Sequence, residues 1–400
     1  MKFLFLVLSF FLFFSCSENQ TSVSAKEIAQ NVLILDSHID VPYRLWNQHL
    51  EGLEIDDISG STKGDFDFIR AKKGGLNVPF FSIYLPASTQ SDGTSHKMAN
   101  ELIDLVEDIV TLHSDKFFLI KSTQDIKTLQ KKSVVGIALG MENGAPIEGD
   151  LSRVQYYFDR GIRYITLTHS KTNHISDSSY DENIQWHGLS EFGKNLIGEM
   201  NRVGIMIDIS HVNDEAFYQA IEISEAPVIV SHSSLRHFTP GFERNVDDAM
   251  LSKLAEKGGV LQINFGSSFI SQRSRNYSTA MEEFLQEKFG EDRSDLSEEI
   301  INEARREFVF ENEYPFATLD EVLDHFDRVV RLVGINHVGI GSDYDGVGDT
   351  LPVGLKDVSS YPNLIQGLLE RGYSQKDIEK ILGGNLMRVW RQVEEYASRY

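Results

Sequence analysis

Apolar residues along the chain fall into short runs of strand length, separated by stretches in which they recur every three to four positions. Continuous apolar runs suit strands covered on both faces, and the 3.6-residue period suits amphipathic helices. The strand runs span residues 33–40, 76–85, 134–142, 164–169, 205–211, 227–232, 260–265 and 337–343. Leu102, Leu105, Val106 and Ile109 mark one long helix over 97–112. Leu189, Phe192, Leu196, Ile197, Met200 and Val203 mark another, which Gly204 ends. Further helices are predicted over 123–131, 151–160, 214–223, 246–257 and 319–333, with two closing helices at 363–371 and 374–393. The charged stretch 271–312 predicts helical excursions on a loop. Eight strands alternating with helices predict an α/β fold, a single (β/α)8 TIM-like barrel. The alternative is an open doubly wound sheet, but no Gly-x-Gly-x-x-Gly follows the first strand to support nucleotide binding.

Barrels of this type place their chemistry at the C-terminal ends of the strands. Those ends read His38 and Asp40, Glu142, His169, His211, His232 and Asp343. Residues two apart on a strand share a face, about 6–7 Å from each other, so His38 and Asp40 project together. Alone, that pair has a bland explanation as a hydrogen bond in a loop. Six of the eight predicted strands, however, finish in a group able to bind a metal or move a proton. Buried imidazoles and carboxylates are costly unless paired or metal-bound, so their convergence predicts a metal site. Two histidines and one carboxylate already fill a single catalytic zinc. Four histidines and three carboxylates fit two ions, which sit about 3.5–4 Å apart and share a bridging ligand and a bridging water or hydroxide. Glu142 is the natural bridge, because its strand lies between those of the other ligands around the ring.

Composition narrows the partners. Sixty acids against 38 bases give a formal net charge of −22, a surface that repels nucleic acid. A hydrophobic content of 41% over 400 residues is ample for a large core. Cys16 is the single cysteine, so no intrachain disulfide can form. Lys2 and the apolar run 3–14 precede it, too short for the ~20 residues of a membrane span and suited to a signal peptide. Ser15 before a lone cysteine resembles a bacterial lipoprotein signal over residues 1–16, in which Cys16 is lipidated and becomes the new N-terminus. Ser17-Glu18-Asn19 resembles the acidic export signal of Bacteroidetes-type lipoproteins. Residues 17–25 read as a flexible tether and 26–400 as one catalytic domain. The expected location is the bacterial cell envelope, with membrane contact through the lipid.

Seven stretches carry a wider resemblance: DSHID-VP at 36–42, GMENG at 140–144, YITLTHS at 164–170, DISHV at 208–212, VSHSS at 230–234, RNVDD at 244–248 and GIGSDYDG at 339–346. In this order and spacing, from about residue 26 to 397, the chain resembles the membrane dipeptidases (renal dipeptidase, peptidase family M19) of the amidohydrolase superfamily. The resemblance implies a zinc-dependent dipeptidase with two Zn2+ bridged by Glu142 and a water or hydroxide. His38, Asp40 and Glu142 would hold one ion, and Glu142, His211 and His232 the other. His169 would contact the scissile carbonyl and stabilise its oxyanion. Arg244, which pattern alone leaves on the surface, would grip the dipeptide carboxylate. Asp343 would handle protons for water and leaving amine, while Asp345 falls in the following turn. The fourth strand contains no lysine that could be carbamylated to bridge metals, which favours the glutamate bridge. Tolerance of D-residues at the C-terminal position and a homodimer are further implications. Residues 173–186 and 271–312 would line the substrate mouth, with His174 and His187 as loop residues. The rival readings are another binuclear amide or lactone hydrolase and a catalytically silent binding lipoprotein.

Overall fold

The computed structural model describes residues 24–129, 133–290, 293 and 296–400. The expected signal peptide, Cys16 and the tether up to residue 23 lie outside the described residues. Among the described residues nine strands form: β1 (Ile34–Ile39), β2 (Leu76–Tyr84), β3 (Phe117–Leu119), β4 (Val135–Glu142), β5 (Ile162–Thr166), β6 (Met206–Asp208), β7 (Ile229–Ser233), β8 (Val260–Ile263) and β9 (Val338–Ile340). Eight of them run parallel in the order β1-β2-β4-β5-β6-β7-β8-β9. The ring closes between β9 and β1, where Asp343 N–H donates to His38 O at 3.0 Å and Asp40 N–H donates to Tyr344 O at 2.9 Å. The fold is the expected TIM-like barrel. The extra strand β3 pairs with Val135–Ile137, the start of β4, whereas β2 pairs with β4 only from Ala138 onward.

Side chains alternate across each strand, so most strands serve two cores. Phe81, Ile83, Ile137, Leu139, Ile165 and Ile207 belong to the larger cluster shared with the surrounding helices. Leu35, Val78, Phe80, Ala138, Tyr164, Met206, Ile229 and Val260 form a second cluster, which Trp390 of the last helix (Asn385–Ala397) joins. Its rings stack toward the strand ends: Trp390 lies 5.2 Å from Phe80, and Phe80 lies 5.6 Å from Tyr164. Tyr164 then reaches His38 Nδ1 with its hydroxyl at 2.8 Å, so the core runs directly into the candidate site. A Cβ at the neighbouring Gly140 would lie 1.9 Å from Tyr164 Cζ, so only glycine lets that ring cross the barrel.

Where the local structure departs from the pattern, packing is the cause. The closing helix expected over 374–393 breaks at Gly383, where an added Cβ would meet Leu35 Cδ1 at 2.9 Å. The excursion after β8 holds the helices Gln272–Phe289 and Glu298–Glu311, as expected. Among the described residues no helix is long and apolar enough to cross a membrane.

One histidine outside the strand ends has a structural role that its sequence position hides. His325, on the helix Leu319–Val333, is fully buried. It accepts from Leu235 N–H at Nδ1 and donates from Nε2 to Ile270 O, both at 3.1 Å. Burial pushes its pKa down to about 4. The unfolded value is about 6.5, so the folded chain binds fewer protons and loses stability as pH falls through that window, by up to about 3 kcal/mol from this residue. We expect His325→Gln to flatten the fall in Tm between about pH 7 and about pH 4.5 relative to the parent chain. Parallel slopes would show that His325 is not the group responsible.

Candidate metal centre

Each expected ligand reaches the barrel mouth by a different local route. His38 lies within β1, and Asp40 follows it at the start of the helix Val41–Leu50. Glu142 is the last residue of β4, and His232 lies in β7. His169 sits three residues past the end of β5, which stops at Thr166 and not at His169 as the pattern suggests. His211 and Asp343 also lie beyond their strands, with left-handed φ of 67° and 63°. That conformation costs a non-glycine residue energy, and such strain gathers at functional sites.

Glu142 is the centre of the group. Its Oε2 lies 3.3 Å from His38 Nε2 and accepts from Ser82 Oγ at 3.1 Å. Its Oε1 lies 3.1 Å from both His211 Nε2 and His232 Nε2, and 3.6 Å from His169 Nε2. One carboxylate oxygen therefore faces each half of the site. On the first half, His38 Nε2 is also 3.5 Å from Asp40 Oδ2. Three groupings have ligand atoms within 4.8 Å of one another: His38, Glu142 and His232; Glu142, His169 and His211; and His38, Asp40 and Asp343. All seven strand-end residues are thus brought together, with His232 also close to His38 of the first half and His169 grouped with His211 on the second.

The proton inventory of this cluster fits a cation. Ser231 donates to Asp208 Oδ2 at 2.6 Å, so it accepts from His232 Nδ1–H at 2.7 Å. That leaves a lone pair on His232 Nε2, which faces His211 Nε2 at 2.9 Å and the Glu142 carboxylate. His38 Nε2 and Asp40 Oδ1 are buried with no hydrogen-bond partner. Converging nitrogen and oxygen lone pairs of this kind suit a borderline divalent metal. Burial, and then the Arg244 charge, push His211 well below the ordinary imidazole value; burial and His38 do the same to His232. Both are neutral at pH 7, the form that ligates. Burial would raise Glu142, but the surrounding imidazoles, His38 foremost, hold it well below the usual carboxylate range.

Two buried aspartates brace the ligands from behind. Asp36 Oδ1 accepts from the N–H groups of His38 and Ser342, and its Oδ2 accepts from Tyr361 at 2.6 Å. Asp208 Oδ1 accepts from Ser210 and Ser231 N–H, tying the loop that carries His211 to β7. Outer groups of this kind fix ligand orientation. The pattern reading missed Tyr164, Ser231, Asp36 and Asp208, because their role depends on which strands are neighbours.

Above the cluster opens a cavity of about 1230 Å³, lined by Tyr84, His169, Tyr180, Arg244, Phe269 and Asp343 among others. Arg244 is 3% exposed, so the surface position suggested by pattern is wrong. It donates to Ser233 Oγ and, at 2.7 Å, to His232 O, while its Nε has no partner. Leu235 and Val246 pair as a parallel bridge, which folds the loop back and carries Arg244 over the mouth. Asn264 donates to Asp343 Oδ2 at 2.7 Å. Burial, and then the Asp40 carboxylate, raise Asp343 to about 8, close enough to neutral pH to suit a group that exchanges a proton. Tyr180 and Glu282 bring both expected mouth segments to the cavity, whereas His174 and His187 stay in the loop away from it.

Residues 23–400 match the family described as Membrane dipeptidase (Peptidase family M19). An uncharacterized dipeptidase of Schizosaccharomyces pombe is 32% identical over 92% of this chain and 82% of its own length. Dipeptidase 3 of Mus musculus is 30% identical over 96% of this chain and 69% of its own. The probable dipeptidase PvdM from Pseudomonas aeruginosa superposes with a TM-score of 0.80 at 27% identity, over 93% of this chain and 98% of that one. A metallo peptidase from Rhodobacter sphaeroides, liganded with a phosphinate mimic of the dipeptide L-Ala-D-Ala, shares the fold with a TM-score of 0.73 at 22% identity, over 91% of this chain and 99% of that one.

Proposed function

The chain belongs to the membrane dipeptidase family, peptidase family M19, and is a dipeptidase; from that premise we propose that it works with two zinc ions shared by Glu142. The observation that carries this reading is the split of the Glu142 carboxylate, one oxygen toward His38 and the other toward His211 and His232. His38 and Asp40 would hold one ion, and His211 and His232 would hold the other. When bound, the pair of cations supplies Lewis acidity toward the peptide carbonyl and toward the attacking water.

The chain's own residues do the rest. Arg244 has no carboxylate partner among the described residues and offers its free N–H donors to the substrate carboxylate. That fixes which end of the dipeptide enters first. His169 faces the cavity 3.6 Å from Glu142 Oε1 and stabilises the negative charge that develops on the scissile carbonyl oxygen. Asp343, held by Asn264, takes the proton from the attacking water and passes it to the leaving amine. Tolerance of a D-residue at the C-terminal position is part of the proposal. A carboxylate held by Arg244 anchors either enantiomer, and the open mouth leaves room for either side-chain direction.

A panel of dipeptides that includes L–D pairs, assayed with and without a chelator, tests this reading. Amino acids are released from L–L and L–D pairs, the chelator stops the release, and added zinc restores it. No release from any pair by the metal-loaded protein would sink the proposal.

A further inference from the structure

The loops that follow β9 and β1 carry a second charged assembly, which the reaction described above leaves unused. Asp345, with φ of 63°, faces Asp65 through reciprocal backbone contacts. Asp65 N–H donates to Asp345 Oδ1 at 2.6 Å, and Asp345 N–H donates to Asp65 Oδ2 at 2.8 Å. Arg44 approaches the same Oδ1 through Nε at 3.1 Å and commits Nη1 to Asp56. Arg44 thus pairs with two carboxylates, Asp56 and Asp345, while Asp65 is joined to Asp345 through backbone N–H groups. Asp345 Oδ2 has no hydrogen-bond partner, although the side chain is 2% exposed and the residue lines the cavity. Arg44 Nη2, which has no hydrogen-bond partner, packs against Gly64, where an added Cβ would lie 2.7 Å from it.

A buried carboxylate oxygen without a donor is unfavourable, so a donor belongs beside Oδ2. We propose that Asp345 Oδ2 receives the free α-ammonium group of the dipeptide. The inference rests on the dipeptidase reading and gives that site its second end. A dipeptide is a zwitterion. Arg244, on the loop after β7, is a cation without a carboxylate, and Asp345, two strands further round the ring, keeps one carboxylate oxygen without a donor. With one end held by each, a peptide extended or acylated at its amino end would set a neutral amide against the unpartnered oxygen of Asp345. Sites built around a polar partner reject analogues that lack it far more strongly than apolar pockets do. Asp345 is therefore a specificity-determining residue.

The test compares alanyl-alanine with N-propionyl-alanine, which differs only in lacking the amino group, on the zinc-loaded full chain. The parent enzyme favours alanyl-alanine in kcat/KM. In Asp345→Asn, which keeps Oδ1 for the Asp65 N–H, that preference falls at least tenfold while metal content stays the same. If N-propionyl-alanine turns over too slowly to time, its inhibition constant against alanyl-alanine gives the comparison. An equal loss on both compounds, as from a merely structural role, overturns the inference, and so does an unchanged preference. N-acetyl-alanyl-alanine on the parent enzyme is an independent check that needs no variant: hydrolysis as fast as that of the free dipeptide also overturns it. Failure of the parent to cleave alanyl-alanine or any other dipeptide would instead count against the dipeptidase reading itself.

Discussion

Glu142→Gln leaves a protein that folds but hydrolyses dipeptides at least about a thousandfold more slowly and retains fewer than two metal ions. The expectation follows from the position of this carboxylate. Four imidazoles point at it from β1, β7 and the loops after β5 and β6, and its two oxygens serve different halves of the cluster. A carboxamide has the same shape but presents one oxygen and one NH2 group. Whichever way it turns, one half of the site meets a donor where it needs a charged acceptor, and a bridging position cannot be filled. Asp40→Ala, by contrast, removes a ligand from the first half only, so the ion held by His211 and His232 should survive it better. Metal analysis of the two purified variants beside the parent separates these effects. Two ions per chain in Glu142→Gln, with activity within tenfold of the parent, would remove Glu142 from the bridging role.

How far the site could be read from the chain depended on how each residue reaches it. His38, Glu142 and His232 lie in strands, where a period of two fixes the facing side, and apolar runs mark where the strands end. His169, His211 and Asp343 were found because they follow such runs closely, but the strands stop earlier than the apolar pattern does. The last residues before them are loop, and two of the three take left-handed conformations that no periodicity encodes. Asp36 and Asp208 precede the ligands in DSH and DIS motifs, yet their bracing role needs Ser342, Tyr361 and Ser231, which arrive from other strands. Asn264 is similar: nothing in β8 sets it apart until Asp343 is seen beside it. The broken closing helix shows the same limit, since Gly383 makes sense only against Leu35, nearly 350 residues earlier in the chain. Pattern reports which face of an element is buried, and not which residues of other elements it meets there.

Arg244 is the case in which pattern alone was misleading, and it carries the second large expected effect. An arginine in a polar loop is ordinarily solvated, but here the Leu235–Val246 bridge folds the loop inward and buries the guanidinium above the cluster. Of its five N–H donors, Ser233 Oγ and His232 O take two, which leaves three for a carboxylate in the cavity. Removing a buried partner of a charged pair costs about 2–5 kcal/mol, so Arg244→Ala should lower kcat/KM for dipeptides by about thirtyfold to about five-thousandfold. Arg244→Lys should recover little, because a single ammonium cannot reproduce the planar fork. The loss should spare substrates without the carboxylate, such as a dipeptide amide or a lactone, whose rates should change by no more than a few fold. That contrast also separates a dipeptidase from the other amide and lactone hydrolases that share this barrel, for which the same arginine would have no carboxylate to hold. Equal losses on both kinds of substrate would mean that Arg244 acts through its bonds to Ser233 and the His232 carbonyl, steadying β7 and its metal ligand, and the carboxylate would then need another partner.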